Sequence, residues 1–189
     1  SLWWIVPLLV LGRYAPPFTE FIESSYVTTR WLNLPEILRG TTSWAPFVDT
    51  ERVAGYALAT QPFFGLVTMT VAAIGLYGLA RLPRVWPVMA CVGIAILGTH
   101  AAWYLHALDG PLAALRNLHK FDPLVRIPLL LGFAAATSAL PLPRVRDEWL
   151  RPGRRQAVAV LVAAIACASF SPAWTGRLLP KGAYEKVPE

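Results

Sequence analysis

The run Arg116-Asn117-Leu118-His119-Lys120-Phe121-Asp122-Pro123-Leu124-Val125-Arg126 sets three cations and a histidine around a single acid. The chemistry open to such a set is anion binding. A guanidinium holds phosphate oxygens in pairs, and an ammonium adds a point charge. Asp122-Pro123 reads as the N-cap and first residue of an apolar helix. Arg126 then stands about one turn inside that helix, where a charge needs a partner and the helix dipole disfavours a cation. Two accounts follow. In one, Arg126 pairs with Asp122 at i,i+4 spacing and reaches toward the interface along its own stem. In the other, Arg126 and Lys120, supported by Arg116 and His119, hold a phosphate with the amides of the helix N-terminus.

A second constellation is acidic. After Pro16-Pro17, residues Phe18, Phe21, Ile22 and Tyr26 share one helical face, and Glu20, Glu23 and Ser24 share the other. Proline at the start and acids in the first turn suit a helix N-terminus. A helix so divided lies in a membrane interface. Its carboxylates are either a solvated face or acceptors for sugar hydroxyls above a membrane cavity. Metal chemistry has no signature: His100, His106 and His119 are scattered, and no HxxxH, CxxC or HExxH occurs. Phosphate-loop, nucleophile-elbow and dinucleotide motifs are missing too, so the sequence points to no metal and no cofactor. Cys91 and Cys167 are expected at different membrane depths and therefore as free thiols, small buried residues of the helices.

These residues act only where the elements put them, and the elements read as membrane helices. Of 189 residues 56% are hydrophobic and 15% charged, with mean hydropathy +0.48. A soluble domain carries about 25% charged residues. The apolar residues fall in runs of spanning length: about Val53–Ala80, Val85–His106, Leu124–Leu142 and Ala157–Pro172, after a shorter run over Leu2–Leu11. Gln61-Pro62 predicts a kink whose freed backbone groups find local partners. The expected fold is an all-α polytopic membrane protein, a helical bundle with amphipathic extracytoplasmic loop helices. Residues 1–11 are expected to end a truncated span, 12–52 to form an extracytoplasmic loop, 53–172 to hold four spans, and 173–189 to lead toward a soluble region beyond the chain.

Charge sets the sidedness. Arg81–Arg84 and the loop Pro143–Arg155, with Arg144, Arg146, Arg151, Arg154 and Arg155, are expected in the cytoplasm. The 12–52, 107–123 and 173–189 segments then face outward. The net charge of +6 is explained by these loops, and no basic stripe suggests nucleic acid. The basic patch of 144–155 suits anionic lipid, or an acidic cytoplasmic partner such as an acyl carrier protein. Within the outer loops, Asn33-Leu34-Pro35-Glu36 predicts a short helix closed by Gly40. Pro111 with Leu112, Leu115 and Leu118 predicts another.

The stretches WWIVPLLVLGRYAPPFTEFIESSYVTTRW and LRNLHKFDPLVRIPLLLG resemble the arabinofuranosyltransferase D family of actinobacterial cell-wall synthesis. The closing GRLLPKGAYEKVPE is similar to that family's passage out of its membrane block. The resemblance implies the C-terminal part of a GT-C membrane domain in the plasma membrane, with its active site on the extracytoplasmic side. It implies transfer of arabinofuranose from decaprenylphosphoryl-arabinose to growing cell-wall arabinan. It also implies that the principal catalytic Asp lies in an earlier loop. Glu20 and Glu23 would then support catalysis, and Arg126, Lys120, Arg116 and His119 would bind the donor phosphate. A transporter or flippase of a lipid-linked anion, and a non-catalytic membrane scaffold, are the alternatives.

Overall fold

The computed structural model of the chain describes residues 5–14, 24–43, 53–138, 140 and 153–175. Regular structure among them is helical throughout. In chain order these are α1 (Ile5–Tyr14), α2 (Ser25–Thr29), α3 (Leu34–Arg39), α4 (Val53–Thr60), α5 (Pro62–Leu79), α6 (Val85–Gly98) and α7 (Ala102–Asp109). Two 3-10 turns, Ala113–Leu115 and Leu118–Phe121, lead into α8 (Pro123–Thr137); α9 (Arg154–Ser169) and α10 (Ser171–Trp174) follow.

The centre is α5, against which α8 packs most extensively and α9 beside it; α6 lies on the other flank of α8. Glycine makes the α5–α8 approach possible. A Cβ on Gly75 would lie 2.7 Å from the Leu129 carbonyl oxygen, and one on Gly78 would overlap that of Gly132. Between α6 and α8 the same device recurs at Gly93, where a Cβ would come within 2.7 Å of Val125. Close backbone approach through small residues is how helices gain packing where lipid supplies no hydrophobic drive. The buried cluster of Leu32, Ile37, Leu79, Leu97, Leu108, Leu118, Val125 and Leu129 joins these helices to the loop segments.

The short helix α3 follows its local chemistry. The Asn33 side chain accepts from the Glu36 amide at 3.0 Å, Pro35 stands in the first turn, and Gly40 closes the helix at φ 84°. It sits over the ends of α5, α6 and α8. The predicted kink is a true break: Gln61 is extended, and α4 stops before it while α5 starts at Pro62.

Two expectations are corrected. The run Val85–His106 is not one helix: α6 and α7 meet at 79° across Thr99–Ala101. There His100 Nε2 is 2.6 Å from the Leu32 carbonyl, and the Tyr104 hydroxyl donates to the Ile96 carbonyl at 2.9 Å, an oxygen the bend releases. Pro111 does not start one helix either. The segment forms two separate 3-10 turns, with Leu118 buried but Leu112 and Leu115 exposed. Among the described residues α5 alone is long and apolar enough to cross a membrane by itself, and the bent α6–α7 pair meets the same criterion jointly. The helices α8 and α9 have 15 and 16 residues. The predicted interfacial helix from Pro16 lies largely outside the described residues, which resume at Ser24.

Candidate functional site

The anion-binding candidates fall on the path from the second 3-10 turn into α8. Asp122 precedes Pro123 as expected, yet its backbone is already helical and its carboxylate does not cap the helix. It turns to Arg126: Nε donates to Oδ2 at 3.0 Å and Nη2 to Oδ1 at 3.3 Å. The rest of the guanidinium reaches out of its own helix. Nη1 donates to the Leu38 carbonyl at 2.7 Å, and Nη2 to the Ile37 carbonyl. Those carbonyls belong to the last turn of α3, where orphan acceptors and the negative end of the dipole favour a cation. The i,i+4 pair is thus present, and the remaining donors serve as a C-cap for another helix. Arg126 spans the gap between α8 and α3, with Gly40 lying against it: a Cβ there would be 3.0 Å from the guanidinium carbon.

The other members are placed differently. Lys120 is exposed and His119 is half-buried on the same 3-10 turn. Arg116 is 9% exposed, and its carbonyl accepts the Thr28 hydroxyl at 3.1 Å. Neither Arg116 nor Lys120 forms an ion pair among the described residues. Glu20 and Glu23 lie outside the described residues. Cys91 and Cys167 are free, as expected, but both are exposed, which corrects the expectation that they are buried.

Sequence reasoning missed the second arginine of the site. A cavity of about 310 Å³ lies beneath α3, walled by Leu58, Val71, Ala72, Leu129, Leu130, Phe133 and Phe170. Arg39, Gly40, Thr41, Thr68 and Arg126 line it as well, whereas Arg116, His119 and Lys120 do not. Arg39 is held by Glu36 at 2.9 Å, Thr68 and the Leu58 carbonyl. Each arginine at the cavity is therefore matched by one carboxylate, Arg39 by Glu36 and Arg126 by Asp122. This charge-balanced, apolar slot suits hydrocarbon better than a bare anion. The only local sign in the sequence was Glu36 three residues before Arg39; the other partners are distant.

Comparison with known proteins bears on what such a site serves. A family model described as "Alpha-(1->3)-arabinofuranosyltransferase, N-terminal GT-C domain" matches residues 1–189. Two relatives named alpha-(1->3)-arabinofuranosyltransferase, from Mycolicibacterium smegmatis and Mycobacterium tuberculosis, are each 42% identical over 210 aligned residues. The alignments cover 99% and 100% of this chain but 15% of each relative. No solved structure matches at a significant level. The matched domain is the family's N-terminal one, which corrects the expectation of a C-terminal part.

Proposed function

The chain belongs to the GT-C family of α-(1→3)-arabinofuranosyltransferases, and on that premise we propose that it forms part of a membrane enzyme's donor site. The reaction is transfer of arabinofuranose from decaprenylphosphoryl-arabinose to cell-wall arabinan on the extracytoplasmic side. Membrane embedding is supported by the apolar side chains that the bundle turns outward: Phe63 and Leu66 on α5, Val88 and Val92 on α6, Leu130 on α8, Leu161 on α9. A water-soluble surface rarely gathers so many.

Within that site, the isoprenoid hydrocarbon occupies the slot beneath α3, and the phosphate is held by Arg116 and Lys120 with His119 beside them. The observation that carries this reading is Arg116. Arg116 is largely buried as a residue and pairs with no carboxylate among the described residues, and a departing polyprenyl phosphate supplies the opposite charge. Arg126 belongs to the scaffold of the slot. Glu20 and Glu23 contribute hydrogen-bond acceptors to the sugar. In the full-length enzyme, Arg116→Gln and Lys120→Gln should each raise the donor KM or lower transfer by roughly tenfold to a hundredfold, with Tm held near wild type for the exposed Lys120. Unchanged donor affinity and rate in both would dispose of the phosphate site. Absence of any sugar transfer by the full-length protein would favour a flippase or scaffold instead.

The sidedness and the basic patch are proposed together. Arg154 and Arg155 are exposed at the N-terminus of α9, the end where the dipole repels cations, so an external anion is the better partner. Anionic lipid headgroups or an acidic protein such as an acyl carrier protein would meet them in the cytoplasm. A cysteine at 154 should resist an impermeant thiol reagent in intact cells while one at 115 reacts. The reverse pattern would invert the topology. Gln at 144, 146, 151, 154 and 155 should reduce co-purification of an acidic protein, and undiminished recovery would remove it as a partner.

A further inference from the structure

Pro62 has no N–H, so the Leu58 carbonyl four residues earlier loses its helical donor. On either side of the break the helical bonds continue: the Gln61 amide donates to the Ala57 carbonyl at 3.1 Å and the Gly65 amide to the Gln61 carbonyl at 3.0 Å. The orphan carbonyl takes its donor from far along the chain, where Arg39 Nη2 reaches it at 2.5 Å. Arg39 Nε donates to Thr68 Oγ1 at 3.0 Å, beyond the break on α5, and Nη1 to Glu36 Oε1 at 2.9 Å. The donor and acceptor roles are consistent, since the Thr68 hydroxyl spends its own proton on the Phe64 carbonyl. The second Glu36 oxygen accepts the Thr41 hydroxyl. One guanidinium therefore joins three pieces: the end of α4, the first turns of α5, and α3. Its side chain is 8% exposed, and it lines the cavity beside Leu58 and Thr68.

We infer that Arg39 is a positioning residue: it stands in for the N–H that Pro62 lacks, fixes α3 over the α4–α5 break, and so sets the shape of the slot. This rests on the reading of that slot as the place of the donor's hydrocarbon. A lysine cannot replace it, because one ammonium on a flexible stem does not present three donors in a planar fork. The pairing with Pro62 also makes a specific demand. Alanine at position 62 restores the N–H and frees Gln61, now extended ahead of proline, to turn helical; the Leu58 carbonyl then gains a helical donor, and the contribution of Arg39 to the break should shrink.

The test is a double-mutant cycle in the full-length enzyme with Arg39→Gln, Pro62→Ala and both, read by Tm and by donor KM and kcat separately. Arg39→Gln alone should lower Tm and raise donor KM by roughly tenfold, with a smaller change in kcat. In the Pro62→Ala background the same substitution should lose most of its effect on Tm. Equal losses in both backgrounds would overturn the inference, because Arg39 would then act through Glu36 and Thr68 and not through the Leu58 carbonyl. Arg39→Lys provides a check that does not depend on Pro62→Ala folding: it should resemble Arg39→Gln, and wild-type behaviour would equally overturn the inference. Coupling in Tm with an unchanged donor KM in every variant would overturn the placement of the hydrocarbon, which separates the two failures.

Discussion

Valine at position 78 is expected to prevent accumulation of the folded protein, and alanine there to lower Tm measurably in detergent. The reason lies in what surrounds the missing Cβ. On Gly78 it would overlap the Gly132 carbonyl oxygen and stand 2.9 Å from the Ala136 amide nitrogen. On Gly132 it would overlap the Gly75 carbonyl oxygen and stand 2.7 Å from the Leu79 amide. These obstacles are backbone atoms of helices held on both sides, so no rotamer change relieves them. Overpacking against side chains costs about 1–3 kcal/mol; against backbone the upper end is the appropriate figure. That is a large part of the roughly 5–15 kcal/mol that holds a domain together. Gly65 supplies the control on the same helix. Its nearest obstacle is the Arg39 guanidinium at 3.9 Å, so Gly65→Ala should be neutral or gain up to about 1 kcal/mol from helix propensity. A Gly78→Ala protein that melts like wild type would show that α5 and α8 are not in backbone contact.

The contrast between those glycines explains what could be read in advance. Gly75, Gly78 and Gly132 are visible in the sequence, but nothing local says that the first two face the third, because the contact joins segments more than fifty residues apart. Where the cause is local, the reading succeeds. Asn33, Pro35, Glu36 and Gly40 specify α3 by capping chemistry confined to a few residues. Proline at 62 announces the break, and Asp122 announces its i,i+4 partner. Where the cause is tertiary, the reading fails. The bend between α6 and α7 has no proline; His100 is instead engaged by the carbonyl of Leu32, 68 residues away. The local partner expected for the freed carbonyl of Leu58 is in fact Arg39, 19 residues away. The candidate site divides in the same manner. Arg116, Lys120 and Arg126 were legible from type and spacing and so was the Asp122 pair, but Arg39 and the distant carbonyls that Arg126 reaches were not, and partners decide whether a cation waits for a ligand or holds the scaffold.

Arg126 is where that distinction has measurable consequences. Arg126→Ala should destabilise the protein by about 3 kcal/mol, the low end for a broken ion pair, since its side chain is 27% exposed and that of Asp122 19%. The loss exposes Asp122, left among the described residues with the Thr42 hydroxyl at 3.3 Å, and strips the Ile37 and Leu38 carbonyls of their donor. Arg126→Lys keeps the charge but cannot span Asp122 and both carbonyls, so it should cost about 1.5–3 kcal/mol. Asp122→Asn should cost less than either, because the carbonyl bonds survive. Activity alone does not separate this anchor from a phosphate ligand, since lysine fails in both. The separating measurement is Tm beside donor affinity. Gly40→Ala sharpens it, because position 40 contacts no phosphate in either account. At φ 84° a side chain is strained by about 1–2 kcal/mol, and its Cβ presses on the Arg126 guanidinium at 3.0 Å. An anchor predicts that Gly40→Ala and Arg126→Lys both lower Tm and weaken donor binding together, through displacement of α3. A phosphate ligand predicts weaker donor binding in Arg126→Lys at an unchanged Tm, and that result would return Arg126 to the anion site with Arg116 and Lys120.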